Sequence, residues 1–244
     1  MKKKKFAFIQ SRMGSSRLYG KSLMEICGKP LLYHVIARVS KAKGIDGVVV
    51  LTSLEREDDA IENFCVKNKT DCFRGSRDNV LKRFYDAALE FTPDIILRIC
   101  GDNPLISIEI IEEVSKKFDD GIYDFVCGEK VPVGCSSEGF TFNALNNVYK
   151  NAKKNYHREH IVTYVMENRE KFNIAHVEPA AFQGHAELRM TVDTREDLEF
   201  VRSIYERLYA ENSVISLLDV FSLVDENPDL TRINSMVKQK NPYS

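Results

Sequence analysis

Residues 10–21 hold two glycines (Gly14 and Gly20), two hydroxyls (Ser15 and Ser16), the amide of Gln10 and three cations (Arg12, Arg17 and Lys21). Backbone N–H groups, hydroxyls and cations in one short loop are the groups that neutralise and orient a polyphosphate. The apolar run at residues 6–9 precedes them, so the segment reads as a loop leaving the carboxyl end of a strand. In an α/β sheet that is where ligands bind. It is not a Walker A loop, which needs four residues between its first glycine and Gly-Lys-Ser/Thr. Here five residues, Ser15 to Tyr19, separate Gly14 from Gly20-Lys21-Ser22. Nor does it contain Gly-x-Gly-x-x-Gly, the usual dinucleotide fingerprint. The plain alternative is a solvated basic loop.

Two carboxylates belong with this loop. Asp102 lies just past an apolar run at residues 95–99, in the turn Gly101-Asp102-Asn103-Pro104. Asp193 follows residues 188–192 and precedes a helix opening at Thr194-Arg195-Glu196-Asp197. Two carboxylates at strand ends, facing a polyphosphate loop, suit Mg²⁺, which takes one or two carboxylates, phosphate oxygens and water. The ordinary alternatives are a turn aspartate bonded to its own backbone and a helix cap. His157-Arg158-Glu159-His160 has the look of a ligand cluster. No cysteine stands near enough to complete a zinc site, and a charged helix start explains the run equally well.

The elements that must position these residues alternate. Residues 6–10, 47–52, 94–100 and 123–127 read as strands; 31–39, 58–67, 78–89 and 108–118 read as amphipathic helices. Continuous apolar runs such as Val48-Val49-Val50-Leu51 are expected of strands buried on both faces. The alternation predicts a single-domain α/β protein over residues 1–244, with a mostly parallel, Rossmann-like sheet and helices on both faces. From about residue 128 to 184 the pattern loosens. Helices are expected at 143–153 and 158–167, and strands at 172–177 and 188–192. This stretch reads as an insertion on the sheet. Phe140, Phe142, Leu145, Val148, Ile161, Val162 and Val165 give it more apolar surface than an appendage needs, which predicts a homodimer.

Composition bounds the rest. Of 244 residues, 43% are hydrophobic and 29% charged, enough for a core and a soluble surface. A net charge of −1 argues against general nucleic-acid binding. The N-terminus lacks the apolar region of a signal peptide, and no stretch approaches the ~20 apolar residues of a membrane span. A cytoplasmic protein is expected, whose six scattered cysteines are small core residues.

Taken together, residues 10–21, Gly28-Lys29-Pro30-Leu31, Gly101-Asp102-Asn103-Pro104-Leu105 and Thr191-Val192-Asp193-Thr194 resemble the cytidylyltransferases that activate acidic sugars. That family includes the 3-deoxy-octulosonate and acylneuraminate enzymes. The likeness is nearest to the branch associated with spore-coat polysaccharide, and it runs through nearly the whole chain in order. It implies the fold of nucleotide-diphospho-sugar transferases, CTP and Mg²⁺, and transfer of CMP to an acidic sugar for a surface polysaccharide or glycan. It implies Asp102 and Asp193 as metal ligands, with Arg12, Arg17 and Lys21 on the triphosphate and the departing pyrophosphate. The loop Arg74-Gly75-Ser76-Arg77-Asp78-Asn79 corresponds to the one that closes over nucleobase and ribose. The family's Arg-Glu-His triplet falls on Arg158, Glu159 and His160; Arg158 is suited to clamp a carboxylate, and Glu138 to meet sugar hydroxyls. One departure stands out: family loops read Leu-Pro-Gly-Lys, and Tyr19 replaces the proline that would fix φ. The competing readings are a glycosyltransferase of related fold, which would usually present Asp-x-Asp where this chain has Asp102-Asn103, and a noncatalytic nucleotide-binding protein.

Overall fold

The computed structural model describes residues 2–211 and 213–240. Seven strands form one sheet: β1 (Lys5–Gln10), β4 (Gly47–Ser53), β5 (Asp71–Gly75), β6 (Ile95–Cys100), β7 (Phe125–Gly128), β8 (Glu138–Thr141) and β9 (Ile174–Val177). Their order across the sheet is β5-β4-β1-β6-β8-β7-β9. All neighbours are parallel except β8, which runs antiparallel to both β6 and β7. A small hairpin, β2 (Glu25–Ile26) and β3 (Lys29–Pro30), stands apart.

From β1 the chain moves outward through β4 to β5, then returns to the other side of β1 as β6. Strand order therefore reverses between β1 and β6. The crevice beyond their carboxyl ends is the place where such sheets bind ligands.

Both faces of β1 and β6 are buried because nearly every residue is apolar, and alternate side chains feed two cores. Ala7, Ile9, Leu97 and Ile99 pack with α1 (Leu31–Val39), α4 (Ile108–Lys117), α8 (Arg195–Leu208) and α9 (Leu217–Glu226). Phe8 and Ile96 pack with α3 (Val80–Phe91), α5 (Phe142–Asn151) and α7 (Ile161–Glu167). The helices begin where their residues dictate. Asn79 caps α3, Ser107 caps α4, and Thr194 with Asp197 forms a capping box on α8.

Five sequence expectations are corrected. Residues 188–192 are not a strand: Val133 and Arg189 make a single isolated bridge, and Val192 N–H turns away to Asp102 O at 2.9 Å. A backbone divided between two partners cannot continue one ladder. Residues 158–167 are not one helix either. The chain breaks at His160 (φ −115°, ψ 85°), between α6 (Asn155–Glu159) and α7.

The stretch from 128 to 184 does more than sit on the sheet, since it supplies β8 and β9 to it. The apolar side chains expected to make a dimer surface are used inside the chain. Phe140, Leu145, Val148, Ile161 and Val165 are at most 1% exposed, and Phe142 and Val162 pack against the same core. Finally, Cys27 is exposed in the tight β2–β3 turn, with φ 48°, whereas Cys65, Cys127 and Cys135 are buried as expected.

Candidate active site

The loop after β1 is tied to the end of the neighbouring strand by Asp58. Its Oδ1 accepts from Met13 N–H at 2.7 Å; its Oδ2 accepts from Ser53 N–H at 3.0 Å and from the Ser53 hydroxyl. Within the loop, Ser15 N–H and Gly20 N–H both donate to Met13 O, at 2.8 and 2.9 Å. Ser11 donates to the Ser22 hydroxyl at 2.8 Å. Gly20 takes φ 71°, a left-handed turn open to glycine, and delivers Lys21 into the crevice. Ser16 and Tyr19 stay exposed, while Arg12, Gly14, Ser15 and Arg17 are half-buried.

Lys21 is the centre of the site. Its ammonium donates to Asp102 Oδ2 at 2.7 Å, Val192 O at 2.8 Å and Asp193 Oδ1 at 2.9 Å. Burial opposes the charge on Lys21, but Asp102 and Asp193 outweigh it and hold its pKa above the usual lysine value. Burial likewise disfavours the Asp193 carboxylate. The charges of Lys21 and Arg17 and the bonds from Lys21 and Arg189 win, and its pKa lies below the ordinary range.

Two backbone contacts bring the aspartates together. Gly101 N–H donates to Gln10 O at 2.8 Å, and a Cβ at Gly101 would lie 2.7 Å from that same oxygen, so only glycine fits. Val192 N–H donates to Asp102 O, fixing the 189–193 segment beside the turn. On its outer side Asp193 Oδ2 meets Arg17 and Arg189, each at 2.8 Å. Asp193 is not the helix cap. That role falls to Thr194, while fully buried Asp197 accepts from Asp193 N–H, Thr194 N–H, Arg189 and Asn234.

The 74–79 loop divides into parts. Arg74 is consumed by structure: it donates to Ser53 O and Glu55 O and pairs with Asp59 and Glu62, both at 2.7 Å. It pins β4 and β5 to α2 (Asp59–Lys67) and does not face the crevice as expected. Asn79 accepts from Lys82 N–H as a helix cap, and Arg77 is exposed beside Asp78. The backbone of Gly75 and Ser76 is held from beneath by a residue that sequence reasoning missed, Arg83. It is 2% exposed and donates to Ser76 O at 2.7 Å. Burial, reinforced by the charge of Arg12, pulls its pKa down to about 10. A charged residue on the apolar face of an amphipathic helix was the signal for it.

On the other side of β1, Arg98 of β6 pairs with Glu138, its direct neighbour on β8, at 3.0 Å. Gln10 Nε2 donates to Cys100 Sγ at 3.6 Å, and burial pushes the Cys100 thiol up to about 12. His160 sits at the helix break, held below its usual pKa by burial and the Arg98 charge despite Glu159. Its companions do not converge on it. His157 is buried against Glu167 at 3.0 Å, and Arg158 is exposed, lining a shallow pocket with Asp78, Asn155, Tyr156 and Glu159. Among the described residues, no three His, Cys, Asp or Glu side chains gather as a metal cage.

A cationic loop and a lysine bridging two aspartates lie at the switch point of the sheet, with the Gly75–Ser76 turn at the end of β5. The cytidylyltransferase family model matches residues 6–218. A cytidylyltransferase structure from Leptospira borgpetersenii superposes with a TM-score of 0.88 at 31% identity, covering 97% of this chain and 100% of that one. The spore coat polysaccharide biosynthesis protein SpsF of Bacillus subtilis is 31% identical over 228 residues, 91% of this chain and 94% of its own length. The 3-deoxy-manno-octulosonate cytidylyltransferase 2 of Hydrogenovibrio crunogenus is 37% identical over 124 residues, 50% of this chain and 49% of its own. The chain belongs to the cytidylyltransferase family.

Proposed function

We propose that this protein transfers CMP from CTP to an acidic sugar, releasing pyrophosphate, to supply a surface polysaccharide or glycan. The observation that carries the reading is Lys21 bridging Asp102 and Asp193 at the switch point of the sheet, beside the loop that holds Arg12 and Arg17.

The two carboxylates fit a magnesium ion. They converge on one cationic atom, the Lys21 Nζ, and Mg²⁺ needs no more than one or two protein carboxylates when phosphate oxygens and water complete its shell. Asp102 and Asp193 would hold it, and when bound it supplies Lewis acidity to the phosphate oxygens and the attacking hydroxyl.

The remaining work belongs to the chain's own residues. Lys21 exchanges a carboxylate for a phosphate oxygen as the triphosphate enters. Arg12, Arg17 and the loop N–H groups at Gly14, Ser15 and Ser16 take up its charge, stabilising the pyrophosphate as it leaves. The turn at Gly75 and Ser76, braced by Arg83, offers backbone groups to the nucleobase edge. Glu138 and His160 are assigned to the acceptor, and Arg158 would have to meet it from its separate pocket beside Asp78.

We place the reaction in the cytoplasm, where CTP is made; no described helix is long and apolar enough to cross a membrane. A homodimer remains the expected assembly, although the apolar residues first held to form it are spent in the core. Sedimentation at micromolar concentration decides that point. The function is tested by pyrophosphate release with Mg²⁺ and a panel of acidic sugars, comparing CTP with UTP, GTP and ATP. CTP should also raise the melting temperature before any sugar is added, by mass action on the folded state. No CTP-dependent release and no thermal shift would overturn the reading.

A further inference from the structure

We propose that Arg98, oriented by Glu138, receives the carboxylate of the acceptor sugar acid, and so sets the enzyme's requirement for an acid. This rests on the cytidylyltransferase reading above. Arg98 is the one charge in β6, whose other residues are Ile95, Ile96, Leu97, Ile99 and Cys100. An arginine only 8% exposed in such a strand is costly unless its donors are used. Glu138, directly across the β6–β8 register, takes a bond from one terminal nitrogen; the buried Nε has no partner. On the adjacent strand, the buried Gln10 Oε1 is also without a partner. Gln10 stands in register with Cys100, two residues beyond Arg98 on the same face of β6.

The placement suits the chemistry. Arg98 is two strand residues, about 6.6 Å, from the end of β6 where the Asp102 turn begins. Cys100, on the same strand face as Arg98, adjoins the Gly101–Asp102 turn, and the charges of Asp102 and His160 both act on the guanidinium. In the ring form of a 2-keto sugar acid, the attacking hydroxyl and the carboxylate share one carbon. The carboxylate must then lie beside the reacting phosphate, where the cations of the loop are already committed to the triphosphate. Arg98 is the cation on the neighbouring strand, on the side away from the loop's own pairs. Glu138 holds the planar fork and balances its charge until the acid arrives, and Gln10 Oε1 is free to accept from a sugar hydroxyl.

The test is steady-state pyrophosphate release with CTP and Mg²⁺. It uses 3-deoxy-manno-octulosonate and N-acetylneuraminate, each against its C1 carboxamide. The native enzyme should prefer acid to amide. Arg98→Gln should lose about 100-fold in kcat/KM for the acid, as expected when one partner of a buried charge pair is truncated. The loss should appear in the acid's KM, with little change for the amide, for the KM of CTP or for the thermal shift by CTP. The preference would thus collapse. Arg98→Lys keeps the charge but loses the fork; it should retain an intermediate preference, and it serves if the glutamine variant fails to fold. Equal losses for acid and amide, or an unchanged preference in both variants, would overturn the assignment and leave the function intact. A native enzyme that shifts with CTP yet uses neither acid would instead overturn the acceptor reading, and the assignment with it.

Discussion

Lys21 and Arg98 are both buried cations, one just after β1 and one on the neighbouring β6, and they are treated differently. Lys21 fills its three donor positions with Asp102, Val192 O and Asp193. Arg98 is held by one bond to Glu138 and keeps its Nε open. Satisfaction of Lys21 is internal, so a phosphate must displace an existing bond to reach it. Arg98 is aligned with capacity to spare. The loop after β1 stores its charges in mutual pairs until the nucleotide exchanges them; β6 keeps a fixed, incompletely used donor.

The largest effect should come from breaking the Lys21 side at its acids. Asp102→Asn or Asp193→Asn keeps the size but removes a hard anionic ligand, and turnover should fall by about 10²–10³ or more. The dependence on Mg²⁺ should weaken in a titration. The double variant should be little worse than either single one, because ligands of one ion act as a unit. Folded variants with near-native turnover would reduce both residues to ordinary turn and loop roles.

Lys21→Ala comes next, with a loss of about 10²-fold in kcat/KM while the metal requirement persists. If the Mg²⁺ optimum shifted as it does in the aspartate variants, lysine and aspartates could not be assigned separate tasks.

The pH dependence of stability gives a moderate effect. The folded pKa of Asp193 is depressed, so its contribution is present above about 3.9 and lost as pH falls through the lower folded value. The folded pKa of Lys21 is raised, so its contribution is present below about 10.4 and lost as pH rises through the higher folded value. Melting curves should decline at both extremes, with Asp193→Asn shrinking the acid decline and Lys21→Ala the alkaline one.

Tyr19 should have the smallest effect. It is 61% exposed, and the charge of Glu57 in the 3₁₀ turn Arg56–Asp58, the same turn that anchors Met13 through Asp58, holds its phenol above the usual pKa. Tyr19→Pro should leave activity unchanged or slightly higher and shift Tm by at most a few degrees. A large loss of activity would give the tyrosine a direct contact with substrate.

The parallel half of the fold was legible because β1, β4 and β6 are continuous apolar runs and their helices carry clear stripes and caps. Asp102, Lys21 and the glycine turns could be placed from that pattern alone. The β8–β7–β9 half was harder. β8 is four residues long and carries Glu138 and Gly139, so it has neither alternation nor an apolar run. The 188–192 segment was misread because three apolar residues in five mimic a strand, while its partners lie at Val133 and Asp102, remote in sequence. Arg74 was misassigned because its sequence neighbours suggest a base-binding turn, and only the fold shows Asp59 and Glu62 beside it. Arg98 was visible as a charge inside a buried strand, but nothing local named Glu138 as its partner.

The bond between Lys21 and Asp193 spans 172 residues, and the network around Asp193 draws in Asn234 as well. Contacts of that separation close late, after the loop entropy between them has been overcome. On a ribosome the sheet strands through β6 can assemble while the crevice still lacks one of its two acids. A nascent chain would therefore acquire a recognisable fold before it could do chemistry, and synthesis of the segment that carries Asp193 would act as the switch between the two.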